Sequence, residues 1–323
     1  QHQAINQPMT GLFSTPFQPE NQFPAFHHVY DSPCPTGNST CHPALRFWKI
    51  FQIFKDAPSH LRSICVSSVA NNMNPYLKFV SELAKLTTEA KLFPLGEFPP
   101  CPRPDVAPDA PKVLFFAPHP DDETIIGGLM LRLFREAKWN AINVAVTQGS
   151  KKERQAERLV ELKAACHFLG FGLLQTAPNG LEQVTPKTRV SDKPLWAEMV
   201  KIIANILAEQ KPKVIFFPHD QDWNGTHIGV HHLVMDALRS LPSDFHCFCV
   251  ETEFWGQNDA PNLMVEYSEQ DAADLMAATS FHVGEVTRNP FHLFLPAWMQ
   301  ENVRRGSELV GGQGEAAPDW TFA

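Results

Sequence analysis

The amino-acid sequence predicts an α/β fold in which a mainly parallel β-sheet is flanked by helices. From residue 112 onward, short apolar runs alternate with segments whose apolar residues recur at helical spacing, which is the pattern of repeated βαβ units. The runs at 113–117 and 214–217 are continuously apolar, as expected for strands that are buried on both faces. An N-terminal extension with helical and irregular parts precedes this domain.

The predicted elements follow one another along the chain. Residues 1–111 form the extension, with helices at 43–55 and from Pro75 onward and a Pro-rich linker at 93–111. Residues 112–300 form the α/β domain, and 301–323 form a C-terminal tail. The predicted strands lie at 113–117, 142–146, 173–174, 214–217 and 245–250. The predicted helices of the domain lie at 124–138, 151–169, 195–207, 230–241 and 271–279. The polar loop 177–193 is long enough to be an active-site lid.

A cluster of charged residues follows the first predicted strand directly. His119, Asp121, Asp122 and Glu123 stand at a strand-to-helix turn, the position at which open α/β sheets bind ligands. Three acids beside an imidazole repel one another unless a cation or a proton enters, and His and Asp are usual zinc ligands. The cluster therefore predicts a metal site. The simpler interpretation is a capped helix, in which the acids only satisfy free N–H groups of the first turn.

A second polar cluster follows the fourth predicted strand and contains His219, Asn224 and His227. The carboxyl ends of parallel strands share one edge of the sheet, so this cluster can meet the first one. His227 and His231 are one helical turn apart and share a helix face, as histidines do in other zinc sites. On the residues alone, either histidine can supply a third metal ligand, and a structural role is the alternative for a lone helical histidine.

The string His-Pro-Asp-Asp-Glu at 119–123, followed by Gly127 and Gly128, resembles the signature of the zinc-dependent PIG-L/LmbE-type de-N-acetylases. The resemblance extends over residues 113–234 and includes Arg158 and Glu161 of the second predicted helix. It implies a Rossmann-like fold and hydrolysis of an N-acyl group, usually from an amino sugar or its conjugate. The chain departs from the family's usual opening, in which alanine directly precedes the histidine, because Pro118 is inserted before His119.

The resemblance also implies roles for the candidate residues. His119, Asp122 and His227 match the positions that hold Zn²⁺, with a fourth position left for water or the amide oxygen. Asp121 matches the general base. Asn224 stands where the family often has a histidine, and it can donate a hydrogen bond but cannot carry a proton.

The remaining candidates for substrate or oxyanion contacts are His219 and His231, which accompany Asn224. His231 is also the alternative third metal ligand. The family frame favours His227, because His227 stands at the predicted start of the helix with Val230 three residues later.

The expected function is a zinc-dependent hydrolase that removes an N-acetyl or other N-acyl group from an amino sugar or glycoconjugate. Two alternatives stay open: a hydrolase of another amide, such as a thiol-conjugate amide, and a non-catalytic carbohydrate-binding protein on the same scaffold. The spare carboxylate of Asp121 beside a ligated metal favours the enzyme, since a binding module has no need of it.

Composition limits the class of partner. The 323-residue chain has a formal net charge of −8 and no cluster of Lys and Arg, which argues against nucleic acid and anionic membrane surfaces. No apolar run approaches the ~20 residues of a membrane span. We expect a small N-acetylated substrate and a cytoplasmic location, with a leader removed before Gln1 as the alternative; a homo-oligomer is compatible with the sequence. Cys34 and Cys41 flank a loop short enough for a disulfide, with an ordinary loop as the alternative.

Overall fold

The computed structural model describes residues 74–314 of the chain. The predicted helix at 43–55 and the loop between Cys34 and Cys41 lie outside the described residues. The chain divides into two compact units, of which one ends at Thr88 and the other contains residues 89–314. Helix α1 (Pro75–Ala90) begins as the sequence predicts, because Asn74 Oδ1 accepts a hydrogen bond from the Tyr76 N–H at 3.1 Å and Pro75 takes the first helical position.

A five-stranded parallel sheet forms the centre of the unit 89–314 and confirms the predicted α/β, Rossmann-like fold class. Its strands are β1 (Lys112–Ala117), β2 (Asn140–Ala145), β3 (Gly172–Gln175), β4 (Val214–Pro218) and β5 (Phe248–Thr252). Their spatial order is β3-β2-β1-β4-β5. The order reverses between β1 and β4, and this switch point opens a crevice at the carboxyl ends of the strands, where α/β folds bind ligands.

Helices cover both faces of this sheet. They are α2 (Asp122–Ile125), α3 (Gly128–Arg135), α4 (Gln155–Leu169), α5 (Pro186–Ser191), α6 (Lys193–Gln210), α7 (Gly225–Ser240), α8 (Glu269–Ser280), α9 (Val283–Val286) and α10 (Phe291–Gly311). Helix α10 crosses residue 300 without a break, so secondary structure does not mark the predicted start of the tail. Within residues 74–314, no helix has the length and apolar character needed to cross a membrane.

Two apolar layers form the core, one on each face of the sheet. Phe115 of β1 packs in the layer that contains apolar residues of α3, α4, α8 and α10. Its neighbour Phe116 packs in the other layer, with apolar residues of α6 and α7. Alternate residues of one strand point to opposite faces, so continuously apolar strands are required here, as the sequence predicts.

Two segments differ from the sequence expectation. The helix predicted at 124–138 is divided into α2 and α3, and a β-carbon at Gly127 would overlap the carbonyl group of Glu123. The expectation of a lid at 177–193 is wrong, because this segment contains α5 and buries Leu181 and Val184 in the core. The Pro-rich stretch 93–111 has neither helix nor strand, and within it the Cys101 N–H donates a hydrogen bond to the carbonyl at position 168.

Candidate metal centre and active site

A cleft with a cavity volume of about 240 Å³, open to solvent, lies at the carboxyl edge of the sheet. Segments that follow β1, β2, β4 and β5 line it together with residues of the C-terminal helices. The lining residues are His119, Asp121, Asp122, Ile125, Gly149, Ser150, Lys151, Arg154, Arg158, Asn224, Phe254, Trp255, Glu285, Arg288 and Phe291. The crevice predicted from the topology is therefore present as a real cavity.

Three possible metal ligands meet at this edge of the sheet. His119, Asp122 and His227 each offer one ligand atom, and the three atoms lie within 4.8 Å of one another. His119 Nδ1 is 3.3 Å from His227 Nε2 and 3.6 Å from Asp122 Oδ2. Asp122 Oδ2 is 3.5 Å from His227 Nε2. These are the three residues that the sequence nominated as zinc ligands.

The spacing of these atoms fits a tetrahedral zinc ion. Zinc binds His nitrogen and carboxylate oxygen at about 2.0–2.2 Å, so two ligand atoms of a tetrahedral site are about 3.3–3.6 Å apart. The observed separations of 3.3, 3.5 and 3.6 Å match one face of such a tetrahedron. Two imidazoles and one carboxylate are also a usual donor set for catalytic zinc, in which the fourth position stays open.

The backbone at the end of β1 holds the first two of these residues. Asp122 is the first residue of α2, and its Oδ2 accepts a hydrogen bond from the His119 N–H at 2.7 Å. Burial alone would raise the pKa of Asp122, but the nearby imidazoles of His227 and His119 lower it below the ordinary value. Asp122 is therefore held as a carboxylate, the form that binds a metal.

Asp222, an acid that the sequence analysis missed, lies behind His227 at the start of α7. The Asp222 carboxylate is buried, and its Oδ2 lies 3.6 Å from His227 Nδ1. It accepts backbone N–H bonds from Asn224 at 2.8 Å, Trp255 at 3.0 Å and Gly256 at 3.4 Å. Burial lowers the pKa of His227, but Asp122 and Asp222 outweigh that effect and raise it. A carboxylate behind a ligating imidazole fixes the orientation of the ring.

Asp121 lines the cleft beside the possible metal ligands and has an unusual backbone conformation. Its φ of 112° and ψ of −28° lie in a region that costs a non-Gly residue about 1–3 kcal/mol. Burial, followed by the charge of Asp122, raises the pKa of Asp121 well above its usual value. Arg158 Nη2 lies 3.9 Å from Asp121 Oδ1 and donates a hydrogen bond to the Pro120 carbonyl at 3.0 Å.

The third acid of the motif, Glu123, has a partner that sequence reasoning missed. Glu123 Oε2 accepts a hydrogen bond from the Asp121 N–H at 3.0 Å, and Glu123 Oε1 lies 2.9 Å from His282 Nε2. Both side chains are 0% exposed. Burial lowers the pKa of His282, but the Glu123 carboxylate outweighs this effect and raises it. No local pattern marks His282, because its partner is 159 positions away in the sequence.

The other nominated residues have different positions. Asn224 caps α7 through an Oδ1 that accepts the Thr226 N–H at 2.8 Å, and it lines the cleft. His219 Nε2 lies 2.9 Å from the Gly256 carbonyl, and His231 Nδ1 lies 3.0 Å from the Pro218 carbonyl. Neither imidazole is among the described residues that line the cleft.

Cationic and aromatic side chains form the remaining walls. The cationic residues are Lys151, Arg154, Arg158 and Arg288, and the aromatic residues are Phe254, Trp255 and Phe291. Glu285 is buried between the guanidinium groups; it accepts a hydrogen bond from Arg154 at 2.8 Å and another from Arg288. The rings of Trp255 and Phe291 meet edge to face at 5.7 Å.

Residues 114–238 match the PIG-L family, which is described as GlcNAc-PI de-N-acetylase. The match runs from β1 to α7 and includes the three possible metal ligands, so the family supports a hydrolytic enzyme. It ends before β5 and the C-terminal helices, and His282 and the aromatic wall therefore lie outside the PIG-L match.

Several solved structures are similar to this chain. A conserved protein from Thermus thermophilus, TT1542, is 21% identical, with a TM-score of 0.45 over 65% of this chain and 93% of that chain. The N,N'-diacetylchitobiose deacetylase from Pyrococcus horikoshii is 18% identical, with a TM-score of 0.44 over 73% of this chain and 90% of that chain. The A40926 pseudoaglycone deacetylase Dbv21 is 17% identical, with a TM-score of 0.44 over 66% and 95% of the two chains.

Two curated proteins also match. They are metabotropic glutamate receptor 4 of Rattus norvegicus and of Mus musculus, each 22% identical over 174 residues. The match covers 54% of this chain and 17% of the receptor, so the chain spans a small part of the length of these relatives.

Proposed function

We propose that this chain is a zinc-dependent hydrolase that removes an N-acetyl or other N-acyl group from an amino sugar or glycoconjugate. One observation carries the proposal: the ligand atoms of His119, Asp122 and His227 converge at a cleft that a separate acid, Asp121, also lines. The PIG-L match supports the same reaction, since the description of the family is that of a de-N-acetylase.

In this proposal the metal and the free acid divide the work. His119, Asp122 and His227 would hold the ion, and zinc bound there supplies positive charge that stabilises the negative charge forming on the amide oxygen. Asp121 takes a proton from the attacking water and then returns it to the departing amine nitrogen, so one carboxylate serves both steps.

Two further side chains assist the free acid and the substrate. Arg158 lies 3.9 Å from the Asp121 carboxylate and is itself fixed by its bond to the Pro120 carbonyl, so it orients the base. The Asn224 Oδ1 is occupied by the Thr226 N–H, which leaves the N–H groups of the Asn224 amide to donate to the substrate.

The walls of the cleft suit a sugar-like substrate. The aromatic faces of Trp255 and Phe291 offer apolar area, while the guanidinium groups of Arg154 and Arg288 offer several N–H donors for hydroxyl or acidic groups.

Acetate release from a panel of N-acetylated sugars by zinc-loaded protein tests the proposal. We expect Asp121→Asn to keep the metal and lose activity by about 10²–10⁴-fold, the range for loss of a general base. Asp122→Asn and His119→Ala remove a ligand and are expected to lose the metal as well. Asp220→Asn, which changes an exposed acid of the same edge, is the matched control.

Each alternative has its own outcome. Loss of metal in Asp121→Asn with retention in Asp122→Asn would reverse the roles of the two acids. Binding of the panel without acetate release would favour the carbohydrate-binding alternative. Hydrolysis that persists in protein freed of metal by a chelator would refute the role of zinc.

A further inference from the structure

We propose that His282 is a positioning residue for Asp121 and acts through Glu123. The inference rests on the proposed function, in which Asp121 is the general base. It concerns a group that lies outside the PIG-L match, on the turn between α8 and α9.

Glu123 joins the two residues directly. One oxygen of its carboxylate, Oε2, accepts the Asp121 N–H at 3.0 Å, and the other, Oε1, bonds to His282 Nε2 at 2.9 Å. Both Glu123 and His282 are fully buried, so water cannot replace either partner. A carboxylate in such a place requires a partner for each oxygen, and His282 supplies the one that Asp121 does not.

The backbone of Asp121 requires this support. A residue with a β-carbon rarely adopts a φ of 112°, and such conformations persist only where the surroundings hold them. The N–H that Glu123 accepts belongs to the same residue, so the bond fixes the backbone from which the Asp121 carboxylate projects. A shift of that carboxylate by about 1 Å is enough to lower a rate ~10²-fold.

The position of His282 is itself fixed by the packing of α8. Thr279 Oγ1 donates to Thr124 Oγ1 at 3.0 Å, which joins α8 to α2, and the His282 N–H bonds to the Thr279 carbonyl at 3.1 Å. All these groups are buried or nearly so. The C-terminal part of the chain therefore supplies the support for an acid of the His-Pro-Asp-Asp-Glu motif.

A purely structural role for the pair makes a different prediction, and two double variants separate the two roles. Glu123→Gln with His282→Gln keeps an acceptor for the Asp121 N–H and a hydrogen bond between the side chains, without buried charge. Glu123→Met with His282→Leu fills similar space but has no acceptor. Apolar replacement of a buried charged pair commonly preserves stability, so we expect both variants to fold.

The experiment compares these variants by kcat and KM for acetate release, zinc content and hydrogen exchange of the Asp121 amide. We expect the Gln pair to remain within about fivefold of the parent kcat, and the Met/Leu pair to lose about 10–100-fold in kcat, with KM within about threefold and zinc content unchanged. The Asp121 amide is expected to exchange faster in the Met/Leu pair alone. His292→Gln, which changes another buried histidine of the C-terminal part, is the control and is expected to leave all these quantities unchanged.

Equal kcat in the two double variants, or equal protection of the Asp121 amide, would overturn the inference. If either variant fails to fold, the single variant His282→Gln, which can still bond to Glu123, is compared with His282→Leu, which cannot, by the same measurements. A parent protein that releases no acetate from any substrate would refute the proposed function instead, and the amide exchange would still decide whether Glu123 and His282 hold Asp121.

Discussion

Replacement of Asp222 by Asn is expected to weaken zinc binding by about 10–100-fold, the usual effect of removing a carboxylate behind a ligating histidine. The Asp222 Oδ2 lies 3.6 Å from His227 Nδ1. Two unit charges at that separation attract each other by about 4–5 kcal/mol at an effective dielectric constant of 20. A ligating imidazole carries only part of a positive charge, so the expected loss of about 1.4–2.7 kcal/mol is a fraction of that value.

Competition between the protein and a chelating dye for zinc at fixed pH measures this loss. Asp220→Asn is the matched control, since Asp220 is an exposed acid two positions earlier. Thermal unfolding of the metal-free proteins reports separately on the backbone N–H bonds that Asp222 accepts. Equal zinc affinity of the parent and Asp222→Asn, with a lowered melting temperature, would limit Asp222 to holding the backbone and refute its role behind His227.

Three further predictions follow from contacts away from the metal ligands. Burial raises the pKa of Asp236, but the Arg189 guanidinium group of α5 outweighs this effect and lowers the pKa. Asp236→Asn should therefore cost about 1.5–3 kcal/mol of unfolding free energy at pH 7. This difference in unfolding free energy should disappear as the pH falls below the ordinary carboxyl pKa of ~4, and urea titrations at several pH values can check it. A methyl group at Gly229 would overlap the backbone of Val184, whereas one at Gly225 would meet open space; Gly229→Ala should lower the melting temperature although Ala favours helices, and Gly225→Ala should not. His231→Gln should keep acetate release within about tenfold with unchanged zinc content, and a loss above a hundredfold would assign the imidazole a proton-transfer role.

The fold was predictable because its signals are local. The continuously apolar strands and the helical spacing between them predict a parallel sheet, and the two polar clusters after β1 and β4 predict that ligands meet at one edge. The structure places the ligand atoms of His119, Asp122 and His227 within 4.8 Å at that edge. Their roles remain predictions until metal and rate are measured.

The supporting residues could not be found in this way. Asp220 and Asp222 both precede the helix of His227, and no sequence pattern distinguishes one from the other. Only the fold shows that Asp222 is the acid buried behind the imidazole. His282 reaches Glu123 through the packing of two helices that are far apart in the sequence. The error at 177–193 has the opposite cause, since polar composition suggested a lid although Leu181 and Val184 anchor that segment in the core.

The long separation between the two halves of the proposed metal centre has a consequence for folding. His119 and Asp122 are neighbours on one turn and can meet as soon as α2 forms, whereas His227 lies 108 positions beyond His119. The third ligand arrives only when β4 pairs with β1, a long-range step that is slow relative to local structure. The appearance of tight zinc binding during refolding would therefore report when the central sheet closes. A chain stalled before that step would hold the ion with two ligands and release it readily to a chelator.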